Sequence, residues 1–592
     1  MRLALFAALT IPVIYAQPQP PGQALFQRNC ASCHMDGGTA PTVAAMNAMP
    51  TERIFDALMK GSMKDAASSL TSRERRNIAE YLGKRPWVDP AAGDISKMTN
   101  RCASNPALSD LDASPVWSGW GGATNARFQT ERAAGLKASD IPKLKLKWAF
   151  GLPSGTSLYS QPAVAFGRVF VGSDDGNIYS TDAKTGCVYW SFKSDMFGRF
   201  TPIAAPISGH PGTRYAIFFV TRSTTAYAID AHDGKMLWSQ VVKDTVNNLS
   251  ASAAYYDGKL FVPLTGTETL TGANLDYECC KTRGGVVALD ANTGKVLWRT
   301  SSIPEPLQQI GENSKGKVRY GPAGASVWNT PTVDAKRKLI YVGTGNNFGH
   351  IASSTSDSIL ALRMDDGKMV WHHQEFEGDA FMNGCRPTNA ADANCAEKLG
   401  PDYDFGGSSA ILQTVGGKDI LLAAGKGGVA IALDPDAEGK LLWRTQLWET
   451  QAPNAGGLVV WGGTADGQRV YYPLQQPGGG LKALQIQTGK VDWNANINAD
   501  RRGQAGPATS IPGAVFTGGW DGILRAVDTT GKVIWTFDAK QDFNTVNGVI
   551  ANGGAFGCAG PIVAGGMVYT TSGYTGNYQG MQGNVVLAFG VD

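Results

Sequence analysis

The stretch DANTGKVLWRT, residues 290–300, contains a phrase that recurs through most of this chain. Its Asp and Gly favour a tight turn, and the apolar and polar residues that follow alternate, as they do in a strand with one buried face. The phrase ends on a tryptophan, here Trp298. Related phrases place tryptophans at intervals of 42 to 73 residues, at Trp148, Trp190, Trp238, Trp371, Trp443, Trp493 and Trp535.

The segments before most copies predict further short strands, as in GRVFVGSDDGNIYSTD, residues 167–182. A recurrence of about 40–50 residues with four short strands in each unit is typical of a β-propeller. Eight phrases predict an all-β eight-bladed propeller, whereas a β-sandwich or two separate sheets would not need a repeated phrase. The copy at Trp148 lacks preceding strands, and NVVLAFGVD, residues 584–592, is expected to supply them and close the ring.

The composition of the 592 residues is that of a globular, turn-rich protein. The chain contains 73 glycines, with 43% hydrophobic and 17% charged residues. Its net charge of +3 is small for this length and argues against a nucleic-acid or polyanion surface.

The first residues, MRLALFAALTIPVIYAQPQPPG, have one Arg, an apolar run and then a Pro/Gln segment. This order is typical of a signal peptide, assigned to residues 1–16, although a buried N-terminal helix would also be apolar. Elsewhere in the sequence no run of about 18 apolar residues predicts a transmembrane segment. We therefore expect export to the periplasm or secretion, and the nine cysteines suit an oxidising compartment.

The stretch RNCASCHMDGG, residues 28–38, predicts covalent attachment of one c-type haem. Cys30 and Cys33 supply two thiols one helical turn apart, and His34 supplies an imidazole for the iron. Half of a zinc site is the alternative, but a structural zinc site requires a second ligand pair nearby. The next cysteine is Cys102 and the next histidine is His210, so the haem interpretation is preferred.

A methionine thioether suits the second axial position of an electron-transfer haem. Met63 is the preferred ligand because it lies between two predicted helices, the second of which begins at Thr71 with Glu74 in a capping box. The sequence therefore predicts a small all-α cytochrome c domain over residues 17–95. Residues 96–140 are predicted to be a linker leading into the propeller, which occupies 141–592. The other candidate ligands are Met35, Met46, Met49 and Met59.

The remaining cysteines suggest disulfides that the sequence alone does not pair. Cys279 and Cys280 are adjacent, and could be a bonded pair or two buried thiols. Cys385 and Cys395 bracket a polar loop. Cys102, Cys187 and Cys558 are left over, with a bond between the first two as one possibility.

Three motifs in the longest intervals carry a resemblance to a known family. SVWNTPTVD (326–334), IYVGTGN (340–346) and DYDFGG (402–407), on eight Trp-bearing blades, resemble the quinoprotein alcohol dehydrogenases that use pyrroloquinoline quinone (PQQ). With CASCH (30–34) and DYECCKTRGG (276–285), the chain looks most like the haem-carrying polyvinyl alcohol dehydrogenases of that family. The resemblance covers nearly all of the mature chain.

The resemblance implies a PQQ and Ca²⁺ site at the mouth of the central channel. The position that matches the family's tryptophan under the quinone is Trp328, whose flat face suits stacking, although it could be another blade-packing residue. The matching calcium ligands, which should be hard oxygens, are Glu268 and Asn346. A solvated loop charge and a turn asparagine are the respective alternatives.

The same resemblance assigns the catalytic groups. Asp404 matches the base that takes the hydroxyl proton while hydride leaves carbon, and Asp402 is a nearby rival. Lys426 matches a cation that touches the quinone oxygens, with an exposed turn lysine as the alternative. The residues that match the family's contacts to the PQQ carboxylates are Arg199, Ser250 and Thr265. In one departure, KSDMFGRF (193–200) lacks the cysteine pair that methanol-type enzymes have there.

We thus expect PQQ- and calcium-dependent oxidation of secondary alcohol groups, in polyvinyl alcohol or a similar polyol. Electrons would pass through the intramolecular haem to an external cytochrome c or another acceptor. A related dehydrogenase of another alcohol or sugar is one alternative. A non-catalytic protein-binding propeller with a haem appendage is the other.

Overall fold

A computed structural model describes residues 21–34, 40–47, 49–84, 86–87, 94–153, 155, 157–196, 198–242, 247–248, 251–385, 394–448, 459–476, 478–497, 503–575 and 580–592. The predicted signal peptide, residues 1–16, lies outside them. Within the described residues, no helix combines the length and the apolar character needed to cross a membrane. The chain divides into two compact units, 1–89 and 90–592.

The N-terminal unit is helical, as the sequence predicts. Thr71 caps the last helix: its Oγ1 accepts from the Glu74 N–H at 3.3 Å, while Glu74 Oε2 accepts from the Thr71 N–H at 2.9 Å. This confirms the capping box. Apolar side chains such as Phe55 and Ile78 form its core. The helices are Pro21–Asn29, Val43–Asn47, Thr51–Met59 and Ser72–Gly83.

The second unit confirms the eight-bladed propeller. Its described residues form eight antiparallel blades of four strands each, and in blade 3 the short strand Asn247–Asn248 is added to the sheet. The repeated tryptophan lies on the fourth, outer strand of every blade. The strands of blades 1 to 4 are Ala163–Ala165, Arg168–Gly172, Asn177–Asp182 and Val188–Lys193; Ile203–Pro206, Tyr215–Val220, Thr225–Asp230 and Met236–Val241; Ala254–Tyr256, Lys259–Gly266, Gly285–Asp290 and Val296–Ser301; and Thr332–Asp334, Leu339–Gly343, Ser358–Arg363 and Met369–Gln374.

Blades 5 to 8 follow the same plan. Their strands are Ile411–Val415, Lys418–Ala424, Val429–Asp434 and Lys440–Gln446; Thr464–Ala465, Arg469–Pro473, Leu481–Gln485 and Val491–Ala495; Thr509–Ile511, Ala514–Gly518, Ile523–Asp528 and Val533–Asp538; and Ile562–Ala564, Met567–Ser572, Val585–Gly590 and Lys145–Gly151.

Blade 8 closes the ring. Its outer strand, Lys145–Gly151, pairs antiparallel with Val585–Gly590, with Lys145 opposite Gly590 and Gly151 opposite Val585. The predicted closure is confirmed, but segment 584–592 supplies only one of the missing strands, Val585–Gly590. The other two, Ile562–Ala564 and Met567–Ser572, come before that segment.

Contacts between blades explain why the repeated phrase holds both a glycine and a tryptophan. The Trp238 indole of blade 2 donates to the Ala291 carbonyl of blade 3 at 3.0 Å, and Gly294 packs against the same ring. A Cβ on Gly294 would lie 2.7 Å from the indole, and its φ of 72° also favours glycine. Trp535 of blade 7 donates to the Leu144 carbonyl at 3.1 Å and so joins the last blade. The equivalent glycine–tryptophan pairs are Gly186–Trp148, Gly234–Trp190, Gly367–Trp298, Gly439–Trp371, Gly489–Trp443 and Gly531–Trp493.

The stretch 96–140, predicted as a linker, lies in the propeller unit and contacts several blades. Arg127 is fully buried and donates to the Ala508 and Trp120 carbonyls and to Gln161 Oε1. A disulfide joins Cys102 to Cys187 of blade 1. The helices outside the blades are Ile95–Lys97, Leu111–Ala113, Glu131–Ala134, Ala138–Lys143, Glu268–Thr271 and Pro435–Ala437. The short strands outside them are Asn247–Asn248, Gln308–Glu312, Val318–Gly321, Ala323–Gly324, Asn347–Phe348, Asp542–Phe543 and Ala551–Asn552.

Candidate active site

A cavity of about 310 Å³ is built from the connections between the second and third strands of several blades. Blades 2 and 5 have four-residue connections there, and the second residue of each, Arg222 and Lys426, lines the cavity. The longer connections of blades 3, 4 and 8 contribute the segment around the helix Glu268–Thr271, Asn346 and Tyr574. The volume is within the range of small-molecule sites.

Trp328 lines this cavity from the segment before blade 4. The backbone of Gly406 and Gly407 packs so closely against its indole that a Cβ on these residues would lie 2.0 and 2.4 Å from ring atoms. Trp461 meets the same ring edge-on at 5.5 Å between centroids. The indole is therefore held firmly, and its cavity side can support a planar ligand.

Asp404, Lys426 and Asp402 form one ionic group beside this tryptophan. Lys426 Nζ lies 2.8 Å from both Asp404 Oδ2 and Asp402 Oδ1, and 4.9 Å from the Trp328 ring centroid. The Gly406 N–H donates to Asp404 Oδ1 at 3.0 Å. Asp404 is only 3% exposed. Both oxygens of this carboxyl are thus fixed in orientation at the cavity wall.

Burial raises the pKa of Asp404 to about 7, although the neighbouring Lys426 ammonium opposes the rise. Burial by itself would lower the pKa of Lys426, but Asp404 and Asp402 raise it above its ordinary value. Lys426 therefore stays protonated while Asp404 changes its charge near neutral pH. This is the property expected of a general base.

Two more buried carboxyls lie close to this group. Burial raises the pKa of Asp379, and burial together with the Asp379 charge raises that of Asp357 well above its ordinary range. Neither oxygen of Asp357 has a hydrogen-bond partner within the described structure. Repulsion among these carboxylates favours the protonated forms of the buried Asp357 and Asp379.

Arg199 and Arg222 add positive charge to the cavity wall. The Arg199 guanidinium carbon lies 4.3 Å from the Trp461 ring centroid, and its buried Nε makes no hydrogen bond to any described residue. The predicted Thr265 also lines the cavity, with its hydroxyl donating to the Val327 carbonyl at 2.9 Å. Ser250 lies outside the described residues.

These features fit PQQ, a planar tricycle with three carboxylates. Trp328 offers a flat face, the two arginines offer donors for carboxylates, and the orphaned Arg199 Nε is a buried donor that needs an acceptor.

The two predicted calcium ligands are placed differently. Asn346 lines the cavity, and its buried Nδ2 has no hydrogen-bond partner among the described residues. Glu268 is fully buried, does not line the cavity, and accepts hydrogen bonds from Tyr277, Lys281 and Thr282. A carboxylate occupied in this way does not fit a calcium ligand, because both oxygens already serve protein donors.

A separate pocket of about 410 Å³ in the N-terminal unit is lined by Cys30, Cys33, His34 and the predicted ligand Met63. The two thiols are free, and His34 Nδ1 lies 2.8 Å from the Pro41 carbonyl oxygen, which leaves Nε2 for iron. The mostly apolar lining fits a haem. Of the other candidate methionines, Met46 and Met49 also line the pocket, Met59 does not, and Met35 lies outside the described residues.

Two further disulfides lie behind the cavity, Cys279–Cys280 and Cys385–Cys395. They share one buried cluster with Phe348, which lines the cavity. Cys558 is a buried free thiol.

Sequence reasoning missed Arg222, Tyr574, Leu270, Phe381 and Asn383, all of which line the cavity. The blade pattern contained a usable signal for Arg222. TRST (221–224) and GKGG (425–428) are the same connection in two blades, so the position of Lys426 also indicates Arg222.

Three family profiles match the sequence, one of them, "Outer membrane protein assembly factor BamB", over residues 314–516. Residues 117–381 match "Glucose/ethanol/alcohol dehydrogenase, beta-propeller domain", and residues 17–82 match "Cytochrome C oxidase, cbb3-type, subunit III". The polyvinylalcohol dehydrogenase of Sphingopyxis sp. (strain 113P3) is 36% identical over 96% of this chain and 93% of its own length. The quinohemoprotein alcohol dehydrogenase of Comamonas testosteroni is 26% identical over 47% of this chain and 41% of its own.

Solved structures share the fold. The crystal structure of the Comamonas testosteroni quinohemoprotein alcohol dehydrogenase superposes with a TM-score of 0.59 at 19% identity, covering 80% of each chain. A europium-containing methanol dehydrogenase superposes with a TM-score of 0.60 at 18% identity, covering 82% of this chain and 100% of that one.

Proposed function

The chain belongs to the PQQ-dependent quinohaemoprotein alcohol dehydrogenases, with polyvinylalcohol dehydrogenase as a full-length relative, and from this premise we propose that it oxidises secondary alcohol groups of polyvinyl alcohol or a similar polyol. The observation that carries the proposal is the ionic group of the buried Asp404 with the partly buried Lys426 and Asp402, beside the Trp328 face.

Bound PQQ supplies a two-electron acceptor for the hydrogen on the carbinol carbon. The residues that would hold it are Trp328 by stacking and Arg199, Arg222 and Thr265 by polar contacts. Asn346 is the one predicted calcium ligand that the cavity wall presents. We propose no step through a metal, because Glu268 does not fit as its ligand.

Asp404 is the proposed base. With a pKa of about 7 it is about half ionised at neutral pH, so it can take the proton of the substrate hydroxyl and later release it. Lys426 and the Gly406 N–H hold its two oxygens, which fixes the direction of proton transfer. Asp402 shares the lysine and remains the rival base.

The N-terminal pocket suits the onward transfer of single electrons. Cys30 and Cys33 would form the thioethers of haem c, His34 would bind the iron, and Met63 is the proposed second axial ligand. An external cytochrome c or another acceptor would then receive the electrons. Covalent haem attachment and three disulfides support an exported protein, periplasmic or secreted.

The test is reconstitution of the purified protein with PQQ and Ca²⁺, followed by addition of 2-propanol or polyvinyl alcohol. Haem reduction, followed at its absorption bands, is the expected result. If bound PQQ is demonstrated and neither alcohol reduces the haem, the proposal is wrong.

A further inference from the structure

We propose that the segment 267–270, held in place by Glu268, is a recognition wall that reads the alternating apolar and hydroxyl groups of a polyol chain. The inference rests on the proposed function, and it names the residues that select the substrate. It also gives Glu268 a task that its contacts support.

Glu268 anchors this segment from behind. Its Oε2 accepts from the N–H groups of Lys281 and Thr282, at 2.8 and 2.7 Å, and from the Thr282 hydroxyl at 2.6 Å. Its Oε1 accepts from the Tyr277 hydroxyl at 3.0 Å and again from the Lys281 N–H at 2.9 Å. One buried carboxylate thereby ties the helix Glu268–Thr271 to the loop that carries Cys279 and Cys280.

A second insertion completes the wall. The Asn383 N–H donates to the Thr269 carbonyl at 2.8 Å, and Asn394 Nδ2 donates to the Gly272, Asn274 and Tyr277 carbonyls. The wall is therefore fixed from two sides before any substrate binds.

The side chains that line this part of the cavity include both apolar and polar groups. Leu270 is 62% exposed although it is apolar, and it lines the cavity together with Phe381. Thr269 and Asn383 line the same cavity and offer a hydroxyl and an amide. A chain in which CH₂ and CHOH alternate presents both apolar and hydrogen-bonding groups along its length. It can therefore satisfy both kinds of side chain, whereas a small alcohol reaches few of them.

The first test compares Leu270→Ser with Leu307→Ser, a matched change at an exposed leucine (41%) that does not line the cavity. For polyvinyl alcohol, Leu270→Ser should raise KM about tenfold, a loss of about 1.4 kcal/mol, with kcat little altered. For 2-propanol the rise in KM of Leu270→Ser should be about twofold or less. Binding of the polymer to the protein without PQQ, followed by tryptophan fluorescence, should weaken in parallel.

Leu307→Ser should behave like the parent. If the two variants have the same KM for the polymer, the proposal that segment 267–270 recognises the polyol is wrong. If the parent itself oxidises neither alcohol, the proposed function fails instead, and polymer binding still tests the wall.

The second test addresses the anchor. Glu268→Gln should raise KM for the polymer more than for 2-propanol, because the loop donors lose a charged acceptor and the wall shifts. Its metal content, measured by mass spectrometry after dialysis against Ca²⁺, should equal that of the parent. Glu278→Gln, on the same loop but exposed and paired with Lys281, is the control and should change neither quantity. Loss of bound metal in Glu268→Gln would identify a ligand and overturn the anchoring role.

Discussion

Replacing Asp402 by asparagine separates the proposed base from its rival. Asparagine keeps the shape and can still accept a hydrogen bond from Lys426, and it tolerates the left-handed backbone at this position, where φ is 67°. The change therefore removes mainly a negative charge. Because Asp402 and Asp404 each have an oxygen 2.8 Å from the same Lys426 Nζ, their charges lie close together.

The magnitude follows from this proximity. Two like charges about 5 Å apart at an effective dielectric constant of about 20 repel by about 3 kcal/mol, roughly two pKa units. Lys426 lies between the two carboxylates and offsets part of this repulsion. We therefore expect the pKa of Asp404 to fall by about one, from about 7 to about 6. An ionised base is needed for catalysis, so the acid limb of kcat/KM should move down by the same amount.

At pH 6 the ionised fraction of Asp404 then rises from about one tenth to about one half, and Asp402→Asn should be about fivefold more active than the parent. At pH 8 the activities of Asp402→Asn and of the parent should be nearly equal. The assay is the pH profile of kcat/KM for 2-propanol, read from haem reduction, with Asp365→Asn as an exposed charge control. If Asp402→Asn is inactive at every pH, Asp402 is the base, and an unmoved acid limb would mean that Asp404 does not govern the profile.

Three further predictions concern the base, the blade contacts and the haem. Asp404→Asn should lower kcat by about 10² to 10⁴, measured with saturating alcohol, while PQQ binding persists. Gly294→Ala should lower the free energy of unfolding by about 2 kcal/mol in denaturant titrations, because its Cβ would meet Trp238; Gly258→Ala, with similar φ and open space around it, should cost less. Met63→Ala should lower the haem reduction potential in spectroelectrochemistry, and a change seen instead in Met46 or Met49 variants would identify another ligand.

The fold was predictable because seven of the eight copies of the phrase contain both halves of an interblade contact, the exception being the copy at Trp148. A glycine such as Gly294 and a tryptophan such as Trp238 are conspicuous residue types at a constant spacing, so their recurrence is visible without knowing what they touch. The closure of blade 8 was predictable because the Trp148 phrase lacked preceding strands and the chain ended on a strand pattern without a tryptophan, although that pattern supplies only one of the three missing strands.

The site was only partly predictable. Trp328, Asn346, Asp404 and Lys426 line one cavity, as the motifs suggest, but the role of each stays a prediction. Glu268 shows the limit of motif matching. The residue type alone does not determine whether its carboxylate points into the cavity or back to its own loop. Contacts such as those of Leu270 and Asn383 depend on how two long insertions meet. The repeated blade phrase contains no information about that contact.

The joints between blades have a consequence for how such a ring can change in size. Most joints are made of the same few atoms, an indole N–H with a carbonyl and an indole face with a glycine, so blades can substitute for one another at these joints. A duplicated blade would find compatible partners on both sides. The strand pairing that joins residues 145–151 to 585–590 then fixes the number at eight, because it is the one joint made within a blade by the two ends of the propeller sequence.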